Sequence, residues 1–183
     1  MRFNGRLKIE SQESSDQQLK TSVLRRMRLF SVESKNVGAR GTEMSEIHEG
    51  GCLCGSLRYR VVGDPIRAGV CHCTFCKRRS GSAFAVSGYF DEAAVQITNG
   101  VLKTFEYRSD ETKRWVKLEF CPNCGTTVTY TAEFAPGFRA IAGGTFDDPN
   151  WLKPKAHVWT RSALHWVVLP PDVKVYEQAA KSA

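Results

Sequence analysis

The sequence predicts a mainly β domain drawn together by clustered cysteines. Three observations carry that expectation. From residue 50 onward, short segments alternate apolar and polar residues with the period of a strand, as in Leu57-Arg58-Tyr59-Arg60-Val61 and Val116-Lys117-Leu118-Glu119-Phe120. No long segment there repeats at the 3.6-residue period of an amphipathic helix. The seven cysteines fall into three tight groups.

The remaining strand candidates follow in order. Ala83–Tyr89, Val95–Thr98, Val101–Tyr107, Thr126–Tyr130, Phe138–Ala142 and Lys155–Trp159 are rich in β-branched and aromatic residues, which fit a pleated, half-buried surface. Turn formers separate them at Gly63-Asp64-Pro65, Asn99-Gly100, Pro136-Gly137 and Asp147-Asp148-Pro149-Asn150. Short helices are expected after Cys73 and near the C-terminus. Trp115, Trp151, Trp159 and Trp166 read as core residues, with the wall of a pocket as the alternative.

The chain divides by composition. Residues 1–46 read as a basic, disordered extension, residues 47–178 as the folded domain, and residues 179–183 as a tail. Residues 1–43 hold nine Lys/Arg against five Asp/Glu, whereas residues 44–183 hold seventeen against fourteen. The extension has no Cys or Trp and buries too little apolar surface to offset its ordering entropy. Its one apolar stripe, Leu19, Val23, Met27 and Phe30, marks a marginal solvated helix, with a docking helix as the alternative. The small excess charge of the domain argues against nucleic-acid binding by the domain itself, which leaves the extension as the part suited to an acidic partner. The first twenty residues lack the apolar core of a secretory signal, and no apolar run is long enough to span a bilayer. A cytoplasmic protein without a membrane partner is expected.

The cysteines are Cys52 and Cys54 (C-L-C), Cys71, Cys73 and Cys76 (C-H-C-T-F-C), and Cys121 and Cys124 (C-P-N-C). A disulfide framework fits them poorly, since the count is odd and the chain is large enough to build its own core. Cysteines separated by one or two residues are what a zinc ion requires, because a tight turn presents two sulfurs at once. Cys52/Cys54 and Cys121/Cys124 together can close a four-thiolate structural site. Cys71, Cys73 and Cys76 then form a three-thiolate site with one position open, the mark of a catalytic zinc. Two other divisions stay open on spacing alone. His72 could complete the trio, although its place between two ligand cysteines tends to turn it away. His157 or His165 could instead arrive from a distance and seal the site.

The three groups in this order, with Gly50-Gly51 before the first and Gly125 after the last, resemble the glutathione-dependent formaldehyde-activating enzyme family, which includes the centromere protein V domain. Ser80-Gly81-Ser82-Ala83-Phe84, Gly144-Thr145-Phe146-Asp147-Asp148-Pro149 and Pro154-Lys155-Ala156-His157-Val158-Trp159 extend the likeness over about residues 47–176. The resemblance implies a zinc-pinned β-tent of short antiparallel sheets with few short helices and two Zn²⁺ per chain. It implies structural zinc on Cys52, Cys54, Cys121 and Cys124, and catalytic zinc on Cys71, Cys73 and Cys76. The implied activity is that of a carbon–sulfur lyase acting on an adduct of glutathione or another small thiol, as in the formation of S-(hydroxymethyl)glutathione. The alternative is a zinc-stabilised binding module without catalysis, like centromere protein V.

An electron-rich set of three thiolates suits the chemistry, because it keeps a fourth sulfur nucleophilic rather than strongly activating water. For a general acid the candidates by residue type are His72, His157 and His165, each also readable as a structural histidine. Lys77-Arg78-Arg79 reads as a solvated helix face, with attraction of a substrate carboxylate as the alternative. Met44 opens MSEIHEGGCLCGSLRYR in the manner of a natural start. A chain beginning at Met44 is therefore expected to fold and to retain as much zinc as the full chain, measured by elemental analysis and circular dichroism.

Overall fold

The structure is a computed structural model in which residues 46–109 and 112–180 are described. Residues 1–45 of the expected extension, with its Leu19–Phe30 stripe and Met44, and the last three residues of the tail lie outside the described residues. The strands are β1 (Ile47–Gly51), β2 (Arg58–Val62), β3 (Arg67–Cys71), β4 (Ala85–Asp91), β5 (Val95–Asn99), β6 (Lys103–Arg108), β7 (Trp115–Phe120), β8 (Thr127–Ala132), β9 (Phe138–Ala142), β10 (Ala156–Val158) and β11 (Lys174–Val175). One α-helix, α1 (Thr74–Ser80), follows β3. The mainly β expectation holds, and the strand segments named from alternation are all present with ends moved by one to a few residues.

Two sheets form. The smaller is antiparallel in the order β1-β2-β5, and the larger runs β11-β10-β3-β4-β9-β8-β7-β6. The larger sheet is mixed, because β10 lies parallel to both β3 and β11. Alternation decides which residues fill the core. In β2, Tyr59 and Val61 are buried while Arg60 and Val62 are exposed. They join Leu57, Phe90, Val128, Ile141, Phe146 and Leu152 in one apolar cluster that also contains Cys52 and Cys121. Burying each large apolar side chain of that set contributes roughly 1.5–3 kcal/mol. A second cluster of Leu118, Tyr130 and Ala140 packs with Phe75, at the helix.

β1 and β3 were not legible from alternation. β1 is Ile-His-Glu-Gly-Gly, and its inward residues are His48 and Gly50 rather than large hydrophobes. His48 is buried in a stack on Trp151 with ring centroids 3.5 Å apart. Gly50 bridges to Phe146. β3 is anchored on both edges, by β4 and by β10, which a local reading cannot foresee.

The region near the C-terminus also departs from expectation. Among the described residues it has no α-helix, only a single 3-10 turn at Thr160–Ser162 and the short β11. Pro170-Pro171 restricts the backbone there and removes two amide donors. The tryptophans divide. Trp151 packs edge-on against Phe146 at 5.0 Å, whereas Trp166 is 62% exposed and is not a core residue. No helix among the described residues is long and apolar enough to cross a membrane.

Gly50 sits tightly against Tyr59 of β2 and the turn at Thr145. An added Cβ would collide with the Thr145 carbonyl oxygen and the Tyr59 hydroxyl, both held by neighbouring structure. Gly50→Ala should therefore destabilise the domain by about 1–3 kcal/mol in chemical denaturation, the usual cost of overpacking.

Candidate metal centres and the adjoining cavity

Two turns of similar build bring four of the cysteines together. Cys52 follows β1 and Cys121 follows β7. In the first turn Gly55 N–H donates to the Cys52 carbonyl at 3.0 Å, and in the second Gly125 N–H donates to the Cys121 carbonyl at 2.9 Å. Both glycines sit at φ +75°, a left-handed conformation that other residues adopt only with strain. The turns thus present Cys52/Cys54 and Cys121/Cys124 as pairs, and all four sulfurs lie within 4.8 Å of one another.

A tetrahedral zinc with Zn–S bonds of about 2.3 Å requires sulfur–sulfur separations of about 3.8 Å. Cys54 Sγ and Cys121 Sγ are 3.8 Å apart, and Cys52 Sγ and Cys54 Sγ 3.5 Å. The donor set therefore fits the ion in chemistry and spacing. All seven cysteines are free thiols, which excludes the disulfide framework.

Polar groups that sequence reasoning missed surround these sulfurs. Ser56 Oγ lies 3.0 Å from Cys54 Sγ and 3.3 Å from Cys121 Sγ. Leu57 N–H donates to Cys52 Sγ at 3.3 Å, and Asn123 Nδ2 donates to Cys54 Sγ at 3.3 Å. Thr126 Oγ1 is 3.2 Å from Cys124 Sγ. Hydrogen bonding, led by the Ser56 hydroxyl, lowers the Cys54 thiol to about 5, and the Thr126 hydroxyl leads the lowering of Cys124 to about 7. The signal for both hydroxyls is a repeated Cys-Gly-Ser/Thr ending, Cys54-Gly55-Ser56 and Cys124-Gly125-Thr126.

The other three sulfurs gather where β3 enters α1. Cys71 ends β3. Cys73 caps α1, its sulfur accepting the Cys76 N–H at 3.3 Å, and Cys76 lies in the first turn. At the other end Gly81, at φ +61°, donates its N–H to the Lys77 carbonyl and stops the helix. The three Sγ atoms lie within 4.8 Å of one another, and no histidine or carboxylate joins them among the described residues. Hydrogen bonds from Cys71 and Cys76 hold the Cys73 thiol well below the ordinary range, while the same network pushes Cys71 up. Three sulfurs so close can all ionise only around a cation, so this set also fits a metal.

The histidines lie elsewhere. His72 is fully buried, with Nε2 2.9 Å from His157 Nδ1, and Phe84 packs edge-on against its ring. Burial lowers the proton affinity of both imidazoles. The parallel register of β10 with β3, His157 opposite Val70, brings the pair together. His165 is exposed. The alternatives in which a histidine completes the trio are thereby set aside.

The basic run also differs from the solvated face expected of it. Only Arg78 is exposed. Lys77 Nζ donates to the Ser162 carbonyl at 2.5 Å. Arg79 Nη2 donates to Ser87 Oγ at 3.3 Å, and its guanidinium lies over the Tyr130 ring at 4.7 Å. Tyr130 in turn donates to Ser87 Oγ at 3.0 Å and meets the Tyr89 hydroxyl at 3.0 Å. Beside this network lies a cavity of about 450 Å³, lined among others by Arg79, Phe84, Ala85, Thr126, Gly143 and Gly144. Ala85 is the register partner of Cys71, and Thr126 contacts Cys124. Residues that neighbour one cysteine of each cluster thus help to line the cavity.

Residues 47–162 match the family described as glutathione-dependent formaldehyde-activating enzyme. The chain belongs to that family. Among similar proteins, an uncharacterized lyase of Schizosaccharomyces pombe is 29% identical over 108 residues, which cover 55% of this chain and 74% of the relative. A solved structure of a Rhodobacter sphaeroides protein shares 21% identity at a TM-score of 0.45, covering 57% of this chain and 94% of that one. All seven cysteines fall within the residues matched to the family.

Because Ser56 touches sulfurs from both turns, Ser56→Ala should weaken metal retention about 10-fold, the lower end for loss of a group that hydrogen-bonds a ligand. Competition with a chromophoric chelator measures this.

Proposed function

We propose that this protein is a zinc-dependent carbon–sulfur lyase acting on an adduct of glutathione or another small thiol with formaldehyde or a related aldehyde. In this reading Cys52, Cys54, Cys121 and Cys124 hold a structural zinc, and Cys71, Cys73 and Cys76 hold a second zinc at which the substrate sulfur takes the fourth place. The observation that carries the reading is the trio itself: three sulfurs without a fourth protein ligand among the described residues, with Ala85, the register partner of Cys71, in the wall of a cavity. Family membership and the lyase-named relative support the same class of reaction.

When bound at the trio, zinc supplies positive charge that favours the deprotonated form of a substrate thiol at neutral pH. The chain's own residues provide position and enclosure. The Cys76 N–H to Cys73 Sγ bond and the β3 register fix the three sulfurs before substrate arrives, so little reorganisation accompanies binding. Phe84, wedged between His72 and the cavity, supplies an apolar wall on that side. In the synthetic direction the thiol sulfur bonds to the carbonyl carbon, and the π pair of the C=O bond becomes a lone pair on oxygen. The proton given up by the thiol ends on that oxygen. The reverse breaks the carbon–sulfur bond and returns thiol and aldehyde.

Incubation of the zinc-loaded protein with glutathione and formaldehyde, followed by NMR, tests the reading. Adduct should form faster than in the spontaneous reaction. No acceleration with both zincs bound would count against it. Cys73→Ser should abolish the acceleration with limited loss of structure. Cys124→Ser should unfold the domain, because metal binding at a site formed only in the native state is folding free energy. Equal unfolding by the two substitutions would contradict the division of roles.

A further inference from the structure

We infer that Arg79 is the anion ligand of the cavity and seats a carboxylate of the thiol substrate, so that the site selects small thiols bearing a carboxylate over thiols without one. The inference rests on the reading that a thiol occupies the trio.

Position comes first. Arg79 lies three residues after Cys76 on α1, and residues so spaced share a helix face. The Arg79 side chain is among those that line the cavity. A molecule that enters the cavity beside Ala85, the register partner of Cys71, therefore has this guanidinium in the same cavity wall.

Charge is the second argument. The domain's other enclosed arginine, Arg139, is 17% exposed and sits between two carboxylates, Glu119 and Glu92. Arg58 pairs with Asp147. Among the described residues no carboxylate lies within ion-pair distance of Arg79. Ser87 and the Tyr130 ring fix its orientation, and a further neighbour is the Cys76 sulfur. A guanidinium carries five N–H donors in a rigid fork that matches a carboxylate. An oriented cation facing a cavity, with no carboxylate partner of its own, is suited to receive one from a ligand.

Shape is the third. A cavity of about 450 Å³ falls in the range that accepts small molecules. The turn Gly143–Thr145 also lines the cavity. An added Cβ at Gly143 would crowd Val86 and Leu152, whereas one at Gly144 meets no atom within 4 Å. Gly144 therefore leaves room for a ligand rather than for packing of the protein, and its backbone is open to a peptide-like substrate.

The test is calorimetric binding to the zinc-loaded full chain of glutathione and of glutathione diethyl ester, whose carboxylates are blocked. Glutathione should bind about 10- to 100-fold more tightly than the ester, the scale of one charge-assisted hydrogen-bonded contact. Arg79→Gln should bring glutathione down to the level of the ester, leave the ester unchanged and retain zinc by elemental analysis. Gly144→Leu should weaken both thiols while zinc is retained, because it fills the shared cavity.

Equal affinity of the unaltered protein for glutathione and its ester would overturn the inference, even if Arg79→Gln failed to fold. So would equal weakening of both thiols by Arg79→Gln, which would mean that Arg79 offsets the sulfur charge. Carboxylate-dependent binding without accelerated adduct formation would sink the lyase reading and leave this one standing. Accelerated adduct formation with carboxylate-indifferent binding would do the reverse. Failure of glutathione to bind at all would overturn both.

Discussion

The structure depends on the convergence of four cysteine sulfurs from two turns far apart in sequence. One turn leaves β1 of the small sheet and the other leaves β7 of the large sheet. Cys52 and Cys121 are buried in the same apolar cluster as Leu57, Val61 and Val128, so the sulfurs are part of the core. Sulfurs at such separations repel once ionised, and a cation converts that repulsion into a clasp. A metal held there would join the two sheets at the end where the apolar cluster meets the sulfurs. Hydroxyl and amide donors from Ser56, Thr126, Asn123 and Leu57 spread the negative charge of the ligands over the surrounding chain.

The second cluster solves a different problem with the same element of chemistry. Its sulfurs come from one short segment, so they do not staple distant parts. Strand β3 delivers Cys71, and the first turn of α1 supplies Cys73 and Cys76. The helix has only seven residues, too few to be stable alone, and is set by its Cys73 cap, its Gly81 stop and the packing of Phe75 on Tyr107 at 4.6 Å. The same short helix carries Arg79 toward the cavity. The grouping of three sulfurs, helix termination and the placement of a cation thus depend on one another within residues 71–81.

The cysteine groups and the β class were legible because their signals are local. Alternation in Arg58–Val62 and Trp115–Phe120 states which side faces the core, and paired cysteines state which turns must be tight. What could not be read depends on contacts between distant segments. β1 is a strand because Gly50 fits against Phe146 and His48 stacks on Trp151, not because Ile-His-Glu-Gly-Gly favours one. The His72–His157 bond follows from a parallel pairing that nothing near either histidine announces. Arg79 reads like Arg78 in sequence, and only the positions of Tyr130 and Ser87 separate a cation facing a cavity from one facing water.

The central claim is that seven sulfurs bind two zinc ions unequally, one with four protein ligands and one with three. Zinc X-ray absorption spectroscopy of the loaded protein tests it most directly. The account predicts an average of about 3.5 sulfurs per zinc, the mean of a four-sulfur and a three-sulfur set, with lighter donors making up the remainder. Addition of glutathione should raise the average to about 4 as those lighter donors are displaced. A spectrum with imidazole nitrogen at one zinc, or one unchanged by glutathione, would contradict it.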